Sequence, residues 1–152
     1  LICHRYCMPY KTKFFPKNVS KYIGDCTNII CRSLWERRFC KYLDENRNVI
    51  RWASEEIVIP YYSPVDKKTH RYYPDFYVEM KNKSGDVKTL IVEIKPEKQT
   101  KIPTKGRKRK NTYLRECMAY EVNIAKWKYA TEYCEKRGWE FKILTEKELY
   151  GT

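Results

Sequence analysis

Two carboxylates and one lysine are the residues in this sequence best placed to do chemistry. Pro74-Asp75 is followed, after an interval of seventeen residues, by Glu93-Ile94-Lys95. Side chains alternate along a strand, so Ile91, Glu93 and Lys95 share one face while Leu90, Val92 and Ile94 share the other. The aliphatic face must be packed. A carboxylate and an ammonium are thereby left side by side at the end of a strand that reads as buried, which is costly unless the charges are paired or metal-bound. Upstream, Tyr73-Pro74-Asp75-Phe76 sets the other carboxylate among aromatics. Pro74 has no N–H and marks a strand edge or bulge, where a side chain can be re-aimed.

Asp75 and Glu93, on adjacent strands, can converge on a hard cation. Magnesium takes a few carboxylate oxygens and keeps several waters, and manganese is the alternative. Such an ion lowers the pKa of a bound water and polarises a phosphodiester, while Lys95 can orient that water or offset charge developing on phosphorus. An ordinary charge cluster on a solvated sheet face is the plainer reading of the same three residues. A further carboxylate comes from the first predicted helix, where Glu36, Phe39, Cys40 and Leu43 fall on one face. Glu36 also completes a Ser33-x-x-Glu36 capping box, and the two readings are compatible.

The elements that must position these groups are legible in outline. Residues 9–32 read as an irregular arm, punctuated by Pro9, Pro16 and Gly24, with Lys11, Lys13, Lys17 and Lys21 spread along it. A helix starts at Ser33 and carries Leu34, Trp35, Phe39, Tyr42 and Leu43 at helical spacing as far as about Asn46. Strand-like runs follow at 49–62, with Pro60 bending or ending the first, then at 71–80 and 88–95. The polar segment 81–86 joins the last two as a hairpin. Residues 96–111 read as a mobile basic loop. A long helix spans 112–137, with Tyr113, Cys117, Tyr120, Ile124 and Trp127 on one stripe and Gly138 as its stop. A strand at 139–144 and a helical turn from Thr145 close the chain. The order of elements is helix, three strands, helix, strand, in one α/β domain.

Composition narrows the partner. The chain has 152 residues, of which 42% are hydrophobic, enough to bury a core. Its 32 Lys and Arg against 19 Asp and Glu give a formal net charge of +13, and a polyanion such as DNA is the simplest explanation. Lys101, Lys105, Arg107, Lys108, Arg109 and Lys110 follow the Glu93–Lys95 strand directly and can grip the DNA backbone without reading sequence. Asn123 and Lys126 on the long helix can reach the rim of the site. No apolar run is long enough to span a membrane. The first residues are too short and polar for a secretory signal, and Met8 is a candidate start. The seven cysteines therefore read as reduced thiols. Cys3, Cys7, Cys26 and Cys31 lack the close pairs of a zinc site, while Cys40, Cys117 and Cys134 stand where small apolar residues would. His70 has no evident partner and reads as a surface residue.

Pro74-Asp75 with Glu93-Ile94-Lys95, in this element order, resembles the restriction-endonuclease-like PD-(D/E)xK superfamily. The sequence is similar within it to the N-terminal catalytic domain of TnsA-type transposon endonucleases, and most of all to the small head completion nucleases of T-even-type tailed phages. The likeness runs through residues 16–22, Arg32-Ser33-Leu34-Trp35-Glu36, Ile59-Pro60-Tyr61, Glu93-Ile94-Lys95-Pro96, Asn123, Lys126-Trp127 and residues 136–146, and covers about 16–150. It implies a mixed sheet flanked by helices; the chain then divides into an irregular N-terminal arm at 1–15, for whose first eight residues the resemblance implies nothing, and the nuclease domain at 16–152. It implies Glu36, Asp75 and Glu93 as metal ligands with the Ile94 carbonyl as a further contact, and Lys95 as the catalytic lysine. It implies DNA processing at the end of head packaging, with phage head and portal-neck proteins as partners and the host cytoplasm or the virion as location. Glu93 stands where the TnsA branch can carry Gln. A non-cutting DNA-end plug of the head and a transposon or junction endonuclease are the competing readings, since one fold serves many functions.

Overall fold

The computed structural model describes residues 10–151; Cys3, Cys7 and the candidate start Met8 lie outside them. The elements are β1 (Thr12–Phe14), β2 (Ile29–Cys31), α1 (Leu34–Glu45), β3 (Val49–Ser54), β4 (Ile59–Ser63), β5 (Lys68–Tyr72), β6 (Phe76–Lys81), β7 (Val87–Ile94), α2 (Lys110–Glu135), β8 (Glu140–Leu144) and α3 (Glu146–Tyr150). The central sheet has the order β3-β6-β7-β8, with β3, β6 and β7 antiparallel and β8 parallel to β7. A parallel neighbour needs a crossover, and α2 lies in the connection between β7 and β8. The result is a mixed α/β sheet with helices, consistent with a restriction-endonuclease-like fold. Among the described residues no helix is long and apolar enough to cross a membrane.

Strand alternation places the two faces of the sheet as expected. Leu90, Val92 and Ile94 enter the main core, where Phe39, Cys40 and Leu43 of α1 meet Val49, Trp52, Phe76 and Val78. On the second layer the β4–β5 hairpin packs against α2, joining Ile59, Tyr61 and Tyr72 to Ala130. Leu34 and Tyr42, expected on the apolar stripe of α1, are 64% and 47% exposed. The buried face is the one that starts at Glu36.

Three readings of the sequence are corrected. Residues 9–32 are not wholly irregular: β1 pairs antiparallel with β2, and Phe14, Ile29 and Cys31 are buried. Strands of three residues are too short for alternation to reveal. The arm is fastened instead by a distant side chain, the buried Asp44 near the end of α1. The Asp44 carboxylate accepts the Lys17 and Asn18 backbone N–H groups at 2.8 and 3.0 Å. In return Lys21 Nζ donates to the carbonyls of Asp44 and Asn46 at 3.0 and 2.7 Å, satisfying orphan groups at the helix C-terminus.

The run 49–62 is two strands in two sheets. The chain turns at Glu55, whose φ of 55° lies in the left-handed region, and Pro60 sits inside β4 rather than ending it. A two-stranded hairpin has a free edge on each strand, so a missing N–H is tolerated. Likewise 71–80 divides at Tyr73-Pro74-Asp75, where the chain passes from the hairpin into the central sheet. The stripe on α2 holds only at its C-terminal end. Trp127, Ala130 and Cys134 are buried, whereas Tyr113, Cys117 and Tyr120 are half-buried and Ile124 is 40% exposed. Cys40 and Cys134 are buried as expected, and the described cysteines are free thiols.

Replacing Asp44 by Ala leaves two inward-facing N–H groups without an acceptor. Hydrogen bonds to a charged group contribute about 1.5–3 kcal/mol each, so Asp44→Ala is expected to lower unfolding stability by about 3 kcal/mol in urea titration, with faster proteolysis before residue 32.

Candidate active site

β6 and β7 pair with Phe76 opposite Val92 and Tyr77 opposite Ile91, so the next step along this register sets Asp75 beside Glu93. Asp75 lies just outside the ladder because Pro74 supplies no N–H to extend it. Its backbone carbonyl accepts the Glu55 N–H at 3.0 Å, and its carboxylate Oδ2 accepts the Ile94 N–H at 2.7 Å. Oδ1 has no hydrogen-bond donor among the described residues. Burial, and then the neighbouring Glu93, push the Asp75 carboxyl well above the ordinary carboxylate range; the Ile94 N–H opposes this.

Glu93 is 5% exposed. Its Oε2 accepts the Tyr72 hydroxyl at 2.7 Å and its Oε1 meets Lys95 Nζ at 3.2 Å. Tyr72 is itself buried, and its phenol is pushed far up by burial and then by Glu93, so it acts as a fixed donor. Lys126 approaches from α2. Its Nζ lies 5.7 Å from the Tyr61 ring centre and 5.4 Å from that of Tyr72. Burial and then the nearby Lys95 lower its pKa, against the pull of Glu93 and Asp75. Lys126 therefore belongs to the same electrostatic site as Asp75, Glu93 and Lys95. Ile94 contributes its amide to Asp75 and sends its side chain into the core.

Glu36 takes the capping role. Its N–H donates to Ser33 Oγ at 3.1 Å, and its carboxylate accepts the Arg32 N–H at 2.8 Å and the Ser33 hydroxyl at 3.3 Å. Burial raises its pKa, and its charge is felt at Asp75. No group of three His, Cys, Asp or Glu side chains is gathered into a metal-binding arrangement among the described residues. Asp75 and Glu93 are the carboxylates brought together, with Glu36 on the flank.

The basic loop divides by role. Lys101 pairs with Glu97 at 2.8 Å, and Lys108 joins the Thr104 carbonyl and Glu116, tying the loop onto α2. A short 3-10 turn at Glu97–Thr100 gives its beginning a definite shape. Lys105, Arg107, Arg109 and Lys110 are exposed. The first turn of α2 holds no acidic residue, so the positive end of the helix dipole adds to these charges. Asn123 lies one turn before Lys126 and is half-buried. His70 has a partner after all: Nε2 is 2.6 Å from Asp66 Oδ2 on the surface of the β4–β5 hairpin.

Four contributors were not singled out in the sequence. Tyr61 and Tyr72 lie in the β4–β5 hairpin, where nothing in the sequence marks their part in the site. Arg32 and Glu55 form an ion pair at 2.8 Å beside Glu36 and Asp75. The left-handed turn at Glu55 is seen only in the structure, since the sequence there has no glycine to announce it.

The donor set suits a hard divalent cation. Two close carboxylates, one held unwillingly in burial and with an oxygen that no protein group engages, are oxygen ligands of the kind magnesium accepts. Residues 46–146 match the family model of the TnsA-like endonuclease N-terminal domain. The chain is also 42% identical over 146 residues to the head completion nuclease of Enterobacteria phage T4, covering 93% of this chain and 95% of that protein. The family match includes Asp75, Glu93, Lys95 and Lys126 and excludes Glu36.

The raised pKa of Asp75 has a definite sign. Its protonated form contributes stability below the ordinary carboxylate range, and that contribution is lost as pH rises through the raised folded-state value. Asp75→Asn keeps an acceptor for Ile94 without the charge. Its melting temperature is expected to match that of the parent at acid pH and to exceed it by a few degrees at neutral pH. Added magnesium is expected to raise the melting temperature of the parent and not of the variant, as scanning calorimetry with and without EDTA would show.

Proposed function

Because the chain belongs to the TnsA-like N-terminal endonuclease family, we propose that it hydrolyses phosphodiester bonds of DNA at a divalent-metal site held by Asp75 and Glu93. The observation that carries this reading is the buried Glu93 with the half-buried Asp75 next to it in register and Lys95 beside them. A magnesium ion bound there supplies an acidified water and charge stabilisation at phosphorus. The remaining work falls to the side chains. Lys95 orients the attacking water and offsets charge developing on the phosphoryl oxygens. Lys126, held over two tyrosine rings, presents a second ammonium to the same phosphate. Tyr72 fixes the rotamer of Glu93, an outer-shell partner of the kind that sets metal affinity.

Glu36 would join as a third ligand through lone pairs that its hydrogen bonds to Arg32 and Ser33 leave free, and Ile94 would add a carbonyl. Lys105, Arg107, Arg109 and Lys110 hold the flanking backbone, with Asn123 near the rim and Lys101 and Lys108 shaping the loop. The similarity to a head completion nuclease supports a role at the DNA end after packaging, in the host cytoplasm or on the assembling particle, beside head or portal-neck proteins. Manganese is expected to substitute for magnesium.

Plasmid and linear duplex incubated with the protein are expected to be cut with magnesium and spared with EDTA. Glu93→Ala is expected to abolish cutting, and Lys95→Ala to lower kcat by about 10²–10³-fold. Metal-independent binding by parent and Glu93→Ala alike, with no substrate cut, would replace the nuclease with a DNA-end plug. Tyr72→Phe separates positioning from chemistry. It is expected to raise the magnesium concentration for half-maximal rate by about 10-fold while saturating magnesium restores most of kcat. A proportional loss at every magnesium concentration would argue against positioning.

A further inference from the structure

The N-terminal half of α2 carries apolar and aromatic side chains that the core does not claim, and a cavity of about 500 Å³ lies along it. One wall is α2, through Ala119, Tyr120 and Asn123; the other is the basic loop, through Gln99, Ile102 and Pro103. Ile102 is 74% exposed, an unusual position for an isoleucine held in an ordered loop. The volume falls in the range of sites that enclose a small organic group, roughly 300–1,000 Å³.

Both walls lead back to the active site. Asn123 and Lys126 are three residues apart on one face of α2, and Lys126 senses Lys95, Glu93 and Asp75. On the other side, the 3-10 turn holding Gln99 begins at Glu97, two residues after Lys95. Lys126 Nζ also lies 5.4 Å from the Tyr72 ring centre, and the Tyr72 hydroxyl donates to Glu93, so both walls connect the cavity to the Glu93–Lys95 end of β7.

The lining matches a nucleobase better than a phosphate. Gln99 and Asn123 each offer a donor and an acceptor, the set that pairs with base edges. Tyr120 offers a ring face, and Ile102, Pro103 and Ala119 offer apolar contact. Of the three lysines at the rim, Lys101 is engaged by Glu97 and Lys108 by Glu116, the one acidic residue of the lining. The cavity itself thus carries little free charge, while the loop around it remains strongly basic.

The geometry points to a pocket for one unpaired nucleobase of the DNA strand next to the scissile phosphate, stacked on Tyr120 and read by Gln99 and Asn123. This rests on the nuclease reading and narrows its substrate. Taking a base out of a paired stack costs a few kcal/mol, and least where the nucleotide is already unpaired. The preferred substrates are then gapped, frayed or single-stranded DNA rather than continuous duplex.

The test compares kcat/KM on single-stranded, gapped and fully paired oligonucleotides of one sequence. Binding is measured separately by anisotropy, with the Glu93→Ala protein in EDTA. The parent is expected to favour unpaired substrates by about tenfold or more, the scale of one base–aromatic stack. Tyr120→Ala is expected to bring that ratio near unity and Tyr120→Phe to retain it, each with the melting temperature of the parent as a folding control. A 5-iododeoxyuridine placed in the unpaired segment of the gapped oligonucleotide is expected to photocrosslink to the Glu93→Ala protein at Tyr120. Equal use of paired and unpaired DNA, a preference that survives Tyr120→Ala, or a crosslink mapping away from the cavity would overturn the pocket. Absence of magnesium-dependent cutting on every substrate would sink the nuclease reading alone, because the binding preference and the crosslink are read without catalysis.

Discussion

The candidate active site depends on keeping two carboxylates, Asp75 and Glu93, close together and largely out of water. Isolated, this arrangement is unfavourable, since each charge loses hydration and repels the other. Around the pair the structure supplies partial compensation: the Ile94 N–H on Asp75, and the Tyr72 hydroxyl and Lys95 ammonium on Glu93. Compensation remains incomplete at Asp75, whose carboxyl is pushed well above its ordinary range. A site that a divalent cation would complete is naturally left in this condition, and perturbed carboxyls of this kind are common where chemistry is done.

Much of the rest serves to hold that tension. The main core pins β6 and β7 through Phe76, Val78, Leu90, Val92 and Ile94, so that the strand ends stay in register. The β4–β5 hairpin leans on α2 and delivers Tyr72 to Glu93 from the opposite layer. Through the same contact α2 brings Lys126 over two tyrosine rings. The left-handed turn at Glu55 lets the chain leave the central sheet beside Asp75, and its N–H holds the Asp75 carbonyl. Backbone strain at a non-glycine residue is most often kept where function requires it.

Charge is distributed by function rather than spread evenly. Lys17 and Lys21 join the N-terminal arm to the end of α1 through Glu45 and through the carbonyls of Asp44 and Asn46, and Lys101 and Lys108 fasten the loop. Among the many exposed bases, Lys105, Arg107, Arg109 and Lys110 cluster at the N-terminus of α2, where the helix dipole reinforces them. In a chain of net charge +13, the location of this cluster beside the candidate site strengthens the case for DNA.

Local rules carried the sequence a long way. Alternation assigned β7 its two faces, the Ser33-x-x-Glu36 spacing found the start of α1, and the polar segment at 81–86 gave the β6–β7 hairpin; each depends on neighbours within a few residues. The acidic pair and Lys95 were legible for the same reason. What the sequence could not decide was long-range. β1 and β2 are too short to announce themselves and are held by Asp44 some 26 residues beyond Asn18. The break at Glu55 lay unmarked inside one strand-like run, and Pro74 marked an irregularity without showing that the chain there passes from one sheet to another. Glu36 could be read as cap, ligand or both; the structure adds that its N–H meets Ser33 Oγ and its carboxylate the Arg32 N–H, a pairing no local rule gave. Tyr72, Tyr61 and Lys126 acquire their roles only when hairpin and helix pack together. An aromatic side chain in a strand carries no mark of whether its hydroxyl will meet water or a carboxylate, and that is settled by tertiary structure alone.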